Sequence, residues 1–297
     1  MSTAELAATG PQVGTERPMS TGAAVAGVVR AETAKLIRRP ATWLLLAITL
    51  VLSLLFTYLV PYAGYAGDTG GFRADLGLAA LLPDRLVGNS IGGLPVFLGA
   101  IMVILGVLTV GGEYGWGTWK TLLTQGPSRL AVYTGKLLTL AVATLATVLA
   151  VYAVGAVTSA VIAAAENQAI HWPGLGDLFT GIGAGWLVAG VWAAFGGLLA
   201  IALRGVALPV GLGLVWLLAV QNLLAVVAAP LIGWVADLQQ GLPGPNAGSL
   251  VAALGANSET PGVQQVVSGG QAAAVLAGYL VGFVLLGGVY LRRRDIL

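Results

Sequence analysis

Six apolar runs organise this chain, at residues 43–60, 91–110, 137–165, 178–203, 206–229 and 271–291. A hydrocarbon core of about 30 Å needs roughly 20 helical residues at 1.5 Å each. The pattern therefore predicts an all-α, polytopic membrane protein with six transmembrane helices. The first run is near the lower length limit, and the third is long enough that it must tilt or project. Ahead of the first run, Val25, Val28, Val29 and Leu36 fall on one stripe of a helix over 23–39, with Arg30, Lys35 and Arg38 off it. Such a helix lies along a membrane with its cations at the headgroups. Glu32 falls inside the apolar stripe, and Pro40 ends the segment. Residues 1–22 are rich in Ser, Thr, Ala, Gly and Pro with no apolar block, and read as a disordered cytoplasmic tail. The first run, with small residues near 63–66, also has the order of a signal sequence, but it exceeds the usual apolar length of one.

Composition narrows the function. The chain is 57% hydrophobic and 9% charged, with a mean hydropathy of +0.90, which excludes a water-soluble domain of this length. With no Cys and one His it offers no disulfide framework, no Cys-based metal site and no thiol nucleophile. His171 lies between runs beside Trp172, and Asp68, Asp75 and Asp84 have no metal-site spacing, so no catalytic or metal site is expected.

The charge distribution sets a topology. All 14 Lys and Arg lie outside the runs. With a cytoplasmic N-terminus, only Arg73 and Arg85 fall outside the cell, and the other twelve fall inside. That asymmetry predicts cytoplasmic N- and C-termini. The outer segments carry Asp68, Asp75, Asp84, Glu166, Asp177, Asp237 and Glu259. Leu76–Leu82 within the first outer segment has the composition of a short surface helix. Residues 230–270, broken by Pro230, Pro243, Pro245 and Pro261, are read as an outer loop that retains apolar pieces at 231–235 and 250–254.

Energy must come from elsewhere. No run contains Asp, Glu, Lys, Arg or His, which argues against a proton-coupled carrier. Gly135-Lys136 is followed by Leu137, with Leu130 five positions before Gly135, so no phosphate-binding loop is present.

The segment from Glu113 to Arg129, EYGWGTWKTLLTQGPSR, is a polar, Trp-bearing insert in the loop 111–136 between runs two and three. Trp116, Trp119, Lys120 and Leu123 recur at three- and four-residue spacing, giving a helix with a compact apolar face and a cation beside it. Such a face either sits at the membrane interface as a hairpin or meets a partner. Pro127 stops that helix or begins the next. The order Glu113, Gly117, Thr118, Lys120, Leu122, Leu123, then Pro127-Ser128-Arg129 and Gly135-Lys136, resembles the cytoplasmic loop of type-2 ABC exporter permeases. In that family the loop holds the coupling helix that docks on a separate ATPase subunit. Glu32, Lys35 and Arg38 similarly look like the helix preceding the first span in that family, though an ordinary basic anchor has the same composition.

The resemblance implies a transmembrane permease subunit, residues 40–297, in the cell membrane, with no cofactor of its own. ATP and Mg would belong to two copies of a cytosolic ABC ATPase. A second permease copy or a homologous permease would complete the assembly, embedded in lipid and without nucleic acid. The cargo would be hydrophobic or amphiphilic, such as a drug, antibiotic, peptide or lipid-like molecule. It further implies re-entrant helices before the last span; a plain Gly/Pro-rich loop fits those residues too. Gln221 and Asn222, adjacent amides in the fifth run, fit interhelical hydrogen bonding, or the substrate path that this span lines in the resembled family. Gly181/Gly185 and Gly278/Gly282 mark close packing. A membrane scaffold or immunity module that recruits a cytosolic partner through residues 113–129 is the alternative of another class.

Overall fold

A computed structural model describes residues 21–67, 77–115, 117 and 128–293. It is 83% helix, with no strand among the described residues. Helix α1 (Thr21–Arg38) is followed at Arg39 by extended backbone (φ −83°, ψ 120°), and Pro40 opens α2 (Pro40–Ala66) at a position where its missing N–H costs nothing. The Trp43 indole donates to the Ile37 carbonyl at 2.7 Å across this elbow. A short helix α3 (Leu86–Ile91) leads to α4 (Phe97–Gly115), then come α5 (Arg129–Ala165) and α6 (Leu175–Leu203). Five abutting helical pieces, labelled α7 together, cover 207–231. Two short helices, α8 (Gly233–Gln239) and α9 (Pro243–Ala253), precede α10 (Gly269–Arg293).

Five of these helices, α2, α4, α5, α6 and α10, are long and apolar enough to cross a membrane. The α7 stretch is interrupted by wide π turns at Val215–Val220 and Leu224–Ala228, and Ala207–Leu223 counts as a shorter apolar helix. In α2 the π turn Leu55–Leu59 lies just before Pro61, and in α7 the second lies just before Pro230. A proline cannot donate to the preceding turn and crowds it, and a widened turn accommodates that defect.

The core centres on α4, whose Met102, Val103, Val107 and Val110 are almost wholly shielded. It packs most extensively on α6. Gly106 rests on the backbone of Ala193, and Gly196 on the backbone of Val103, so the two helices approach more closely than any side chain would permit. Gly181 and Gly185 also sit at a tight contact, against Val87, Tyr152, Ile91 and Val148, whereas Gly278 and Gly282 face open space. The Trp186 indole donates to the Ala141 carbonyl at 2.9 Å, tying α6 to α5.

Of the apolar piece near 76–82, Leu78–Leu81 forms one turn of 3-10 helix whose Leu81 is buried with Tyr58 and Ile162. The helices also extend past the apolar runs, since hydropathy marks the chain that suits lipid and not the chain that is helical. The third span begins at Arg129, ahead of its run, and the second runs on to Gly115, although it starts only at Phe97, inside its run, after a turn at 92–96.

Candidate functional site

Four charged side chains from three elements meet at one end of the bundle. Glu32 and Lys35 come from α1, Glu113 from the last turn of α4, and Lys136 from the second turn of α5. The Lys35 ammonium lies 2.8 Å from Glu32 Oε1 and 2.8 Å from Glu113 Oε1. The Lys136 ammonium lies 2.9 Å from Glu32 Oε2 and 3.2 Å from the same Glu113 Oε1. Carboxylates and ammoniums thus alternate around a closed ring of zero net charge. Lys136 also donates to the Thr109 carbonyl at 3.2 Å.

Burial makes this ring consequential. Lys136 is 0% exposed, Glu32 4% and Glu113 6%. A charge withdrawn from water at that depth is tolerated only when paired and hydrogen-bonded, as each of these is. Lys35 sits at the rim. Burial pulls its pKa down, but the hydrogen bonds and charges of Glu113 and Glu32 outweigh that and hold it above its ordinary value of 10.5.

Local sequence explains why α1 reaches the ring. Gly135 lies against Val28, and a Cβ there would stand 2.5 Å from Val28 Cγ1, so α1 can bed directly on the start of α5. At the elbow, Arg39 donates to the Leu108 carbonyl at 3.1 Å, and its guanidinium lies flat against Gly112. The Ser128 hydroxyl caps α5, accepting from the Ala131 N–H at 3.2 Å. The Tyr133 hydroxyl donates to the Val284 carbonyl at 2.8 Å, and Arg129 reaches toward the Leu291 carbonyl at 3.5 Å, joining the same end of α5 to α10. Gly117, at φ 65°, closes α4 in the left-handed region, its N–H pointing to the Tyr114 carbonyl at 3.4 Å.

Of the residues singled out in the sequence, Glu32, Lys35 and Glu113 converge here. Arg38 is exposed, at the end of α1. Trp116, Thr118, Trp119, Lys120, Leu122, Leu123 and Pro127 lie outside the described residues, as does the tail 1–20. Lys136 is the member of the ring whose weight sequence reasoning missed, although Gly135-Lys136 stood in the pattern; its signal was a lysine one helical turn inside an amphipathic start. Gln221 is buried, with its amide against Gly244 of α9 and neither amide atom hydrogen-bonded. Asn222 is half-buried and donates to the Leu218 carbonyl of its own helix at 2.9 Å.

A family model described as ABC-2 family transporter protein matches residues 28–220. The chain belongs to the ABC-2 transporter family. It is therefore a multi-pass membrane permease subunit and not itself an ATPase, and membership implies an ABC ATPase partner. No curated protein matches the chain. The matched region contains all four charges of the ring and both helices that flank the 116–127 segment of this ABC-2 permease.

Proposed function

We propose that this ABC-2 permease is the membrane half of an exporter for hydrophobic or amphiphilic molecules, driven by two copies of a separate ATPase that dock on residues 116–123. ATP and Mg act on that partner alone. In this reading α7 serves as the fifth of six spans, both termini are cytoplasmic, and two permease copies, or one copy with a homologue, enclose the pathway. The observation that carries the reading is the ring of Glu32, Lys35, Glu113 and Lys136. It fastens the membrane-surface helix α1 to both helices from which the 116–127 segment springs, so a push on that segment moves α1, α4 and α5 as one body. Buried, mutually satisfied charges resist separation far more than exposed pairs do, because parting them strands each in a poor solvent.

The helices α8 and α9 between α7 and α10 act as the re-entrant pair that closes the outer end. Ser249 supports this by its position: fully buried, it donates to the Pro245 carbonyl at 2.8 Å and accepts from the Val266 N–H at 2.9 Å, bracing α9 against the chain that leads into α10.

The test is co-purification of the ATPase partner. Trp116, Trp119 and Leu123 form an anchor cluster, so Trp119→Ala weakens docking by about 2 kcal/mol, roughly thirtyfold, and Lys120→Ala by less. Normal retention of the partner by the triple alanine variant would reduce the segment to an interfacial hairpin.

A further inference from the structure

A second site lies away from the charge ring. A cavity of about 610 Å³ opens between the outer half of α2, the α3 region, the start of α4 and the chain at 255–261. Its size falls within the range of small-molecule pockets. Its lining is of two kinds. Leu52, Phe56, Phe97 and Leu98 are large apolar members, and Arg85, Asn257, Ser258 and Thr260 are polar ones. Among the described lining residues Arg85 is the one charged group, and no carboxylate faces it from the wall.

The Arg85 guanidinium is not committed elsewhere by a strong pair. Asp84, its sequence neighbour, stands 3.8 Å away with both side chains more than half exposed, a geometry beyond hydrogen-bond reach that contributes little. A guanidinium so placed is a fork of donors for a carboxylate, sulfate or phosphate oxygen. The cavity has a lateral opening. Phe56 and Phe97 line the cavity yet remain 46% and 48% exposed, so a chain can enter from the bilayer between α2 and α4. Along α2 the lining runs from Leu52 to Thr57, about 8 Å of helix, so the first part of an alkyl chain lies against the wall and the rest passes out into the bilayer. Backbone builds the joint beside it: Gly88 rests on the Gly255 carbonyl, leaving no side chain to fill the space.

We infer that this cavity binds a single-chain amphiphile with an anionic head, the head on Arg85 and the 257–260 polar groups and the tail along Leu52, Phe56, Phe97 and Leu98. Outer-leaflet lipid and exported cargo share that chemistry. Binding does not depend on the exporter reading; only a role for the site in expulsion does.

The experiment uses the purified full-length permease in neutral-lipid nanodiscs and radiolabelled dodecyl phosphate, with dodecyltrimethylammonium as the cationic probe of equal chain length. The native protein should favour dodecyl phosphate. Arg85→Gln should lower its affinity about tenfold, the scale of one charge-assisted hydrogen-bond pair, while Arg85→Lys keeps most of it. Arg85→Glu should reverse the preference toward dodecyltrimethylammonium, a gain that a misfolded variant could not show. Equal binding of both probes by the native protein, or unchanged dodecyl phosphate affinity in Arg85→Gln with no reversal in Arg85→Glu, would overturn the inference. In the reconstituted complex, ATP-driven release of bound dodecyl phosphate would assign the site to cargo and retention would assign it to resident lipid. Both outcomes uphold the headgroup chemistry, and loss of ATPase docking would leave the binding result standing.

Discussion

Lys136 Nζ lies 2.9 Å from Glu32 Oε2, and no part of this lysine reaches solvent. The two residues are separated by the whole first span and α4, so their pairing fixes α1 to α5 irrespective of what the loop between does. Removing either partner leaves three charges in the ring, two like charges sharing one counter-charge, an imbalance that costs about 3 kcal/mol at this depth, whereas neutralising both leaves the Lys35 to Glu113 pair intact.

Lys136→Met should therefore lower the melting temperature of the detergent-purified permease sharply. The double variant Glu32→Gln/Lys136→Met should recover a large part of that loss. Strict additivity of the two single effects, with Glu32→Gln measured alongside, would mean that the ring does not act as a unit.

Lys35 gives the ring an alkaline limit. A lysine whose folded-state pKa is raised stabilises the fold fully below its unfolded value, ordinarily 10.5, and loses that contribution as pH rises through the higher folded value. The stability difference between the native permease and Lys35→Met should be constant from neutral pH to about pH 10 and shrink above 10.5. Thermal melts of both proteins across that range check it. A difference that shrinks on acidification instead would contradict the sign.

Much of this was legible in the sequence, and the exceptions have physical causes. Helix α1 was visible because its apolar stripe repeats at helical spacing, and Glu32 was visible as the intruder in that stripe. The destination of Glu32 was not, since its partners Glu113 and Lys136 lie far along the chain and each stands just beyond an apolar run. Boundaries drawn where hydropathy falls assign both to the loop; in the structure they are helical and buried. Glycine patterns were equally ambiguous: Gly181/Gly185 mark a tight contact and Gly278/Gly282 do not, because spacing shows a smooth face without showing what lies against it. Residues 116 and 118–127, which carry much of the family resemblance, lie outside the described residues, so a coupling helix there remains part of the proposal.

The orientation is open to labelling, since the chain contains no cysteine. Gln168 and Ser258 are exposed, as is Arg292 at the other end of the bundle. Single cysteines at Gln168 and Ser258 should react with an impermeant maleimide in intact cells, and one at Arg292 only after permeabilisation. Reaction of all three from outside would end the model of six spans with cytoplasmic termini.

Gln221 presents a different balance. Both of its amide atoms are buried without hydrogen-bond partners, and its Oε1 occupies the space that a side chain at Gly244 would need. An unsatisfied buried amide costs stability, so Gln221→Leu should leave the melting temperature unchanged or raise it. Gly244→Ala should lower stability by about 1 kcal/mol, because a methyl group there meets the glutamine amide and forces that side chain into another rotamer. Shortening the partner should relieve that collision: in Gln221→Ala/Gly244→Ala the penalty of the second substitution should largely vanish. The four proteins form a cycle readable by thermal melts. Substrate-stimulated ATP hydrolysis by the reconstituted complex then separates packing from transport, since a change of stimulation profile in Gln221→Leu with unchanged stability would favour a place on the substrate path, and an unchanged profile would leave Gln221 as a packing residue between α7 and α9.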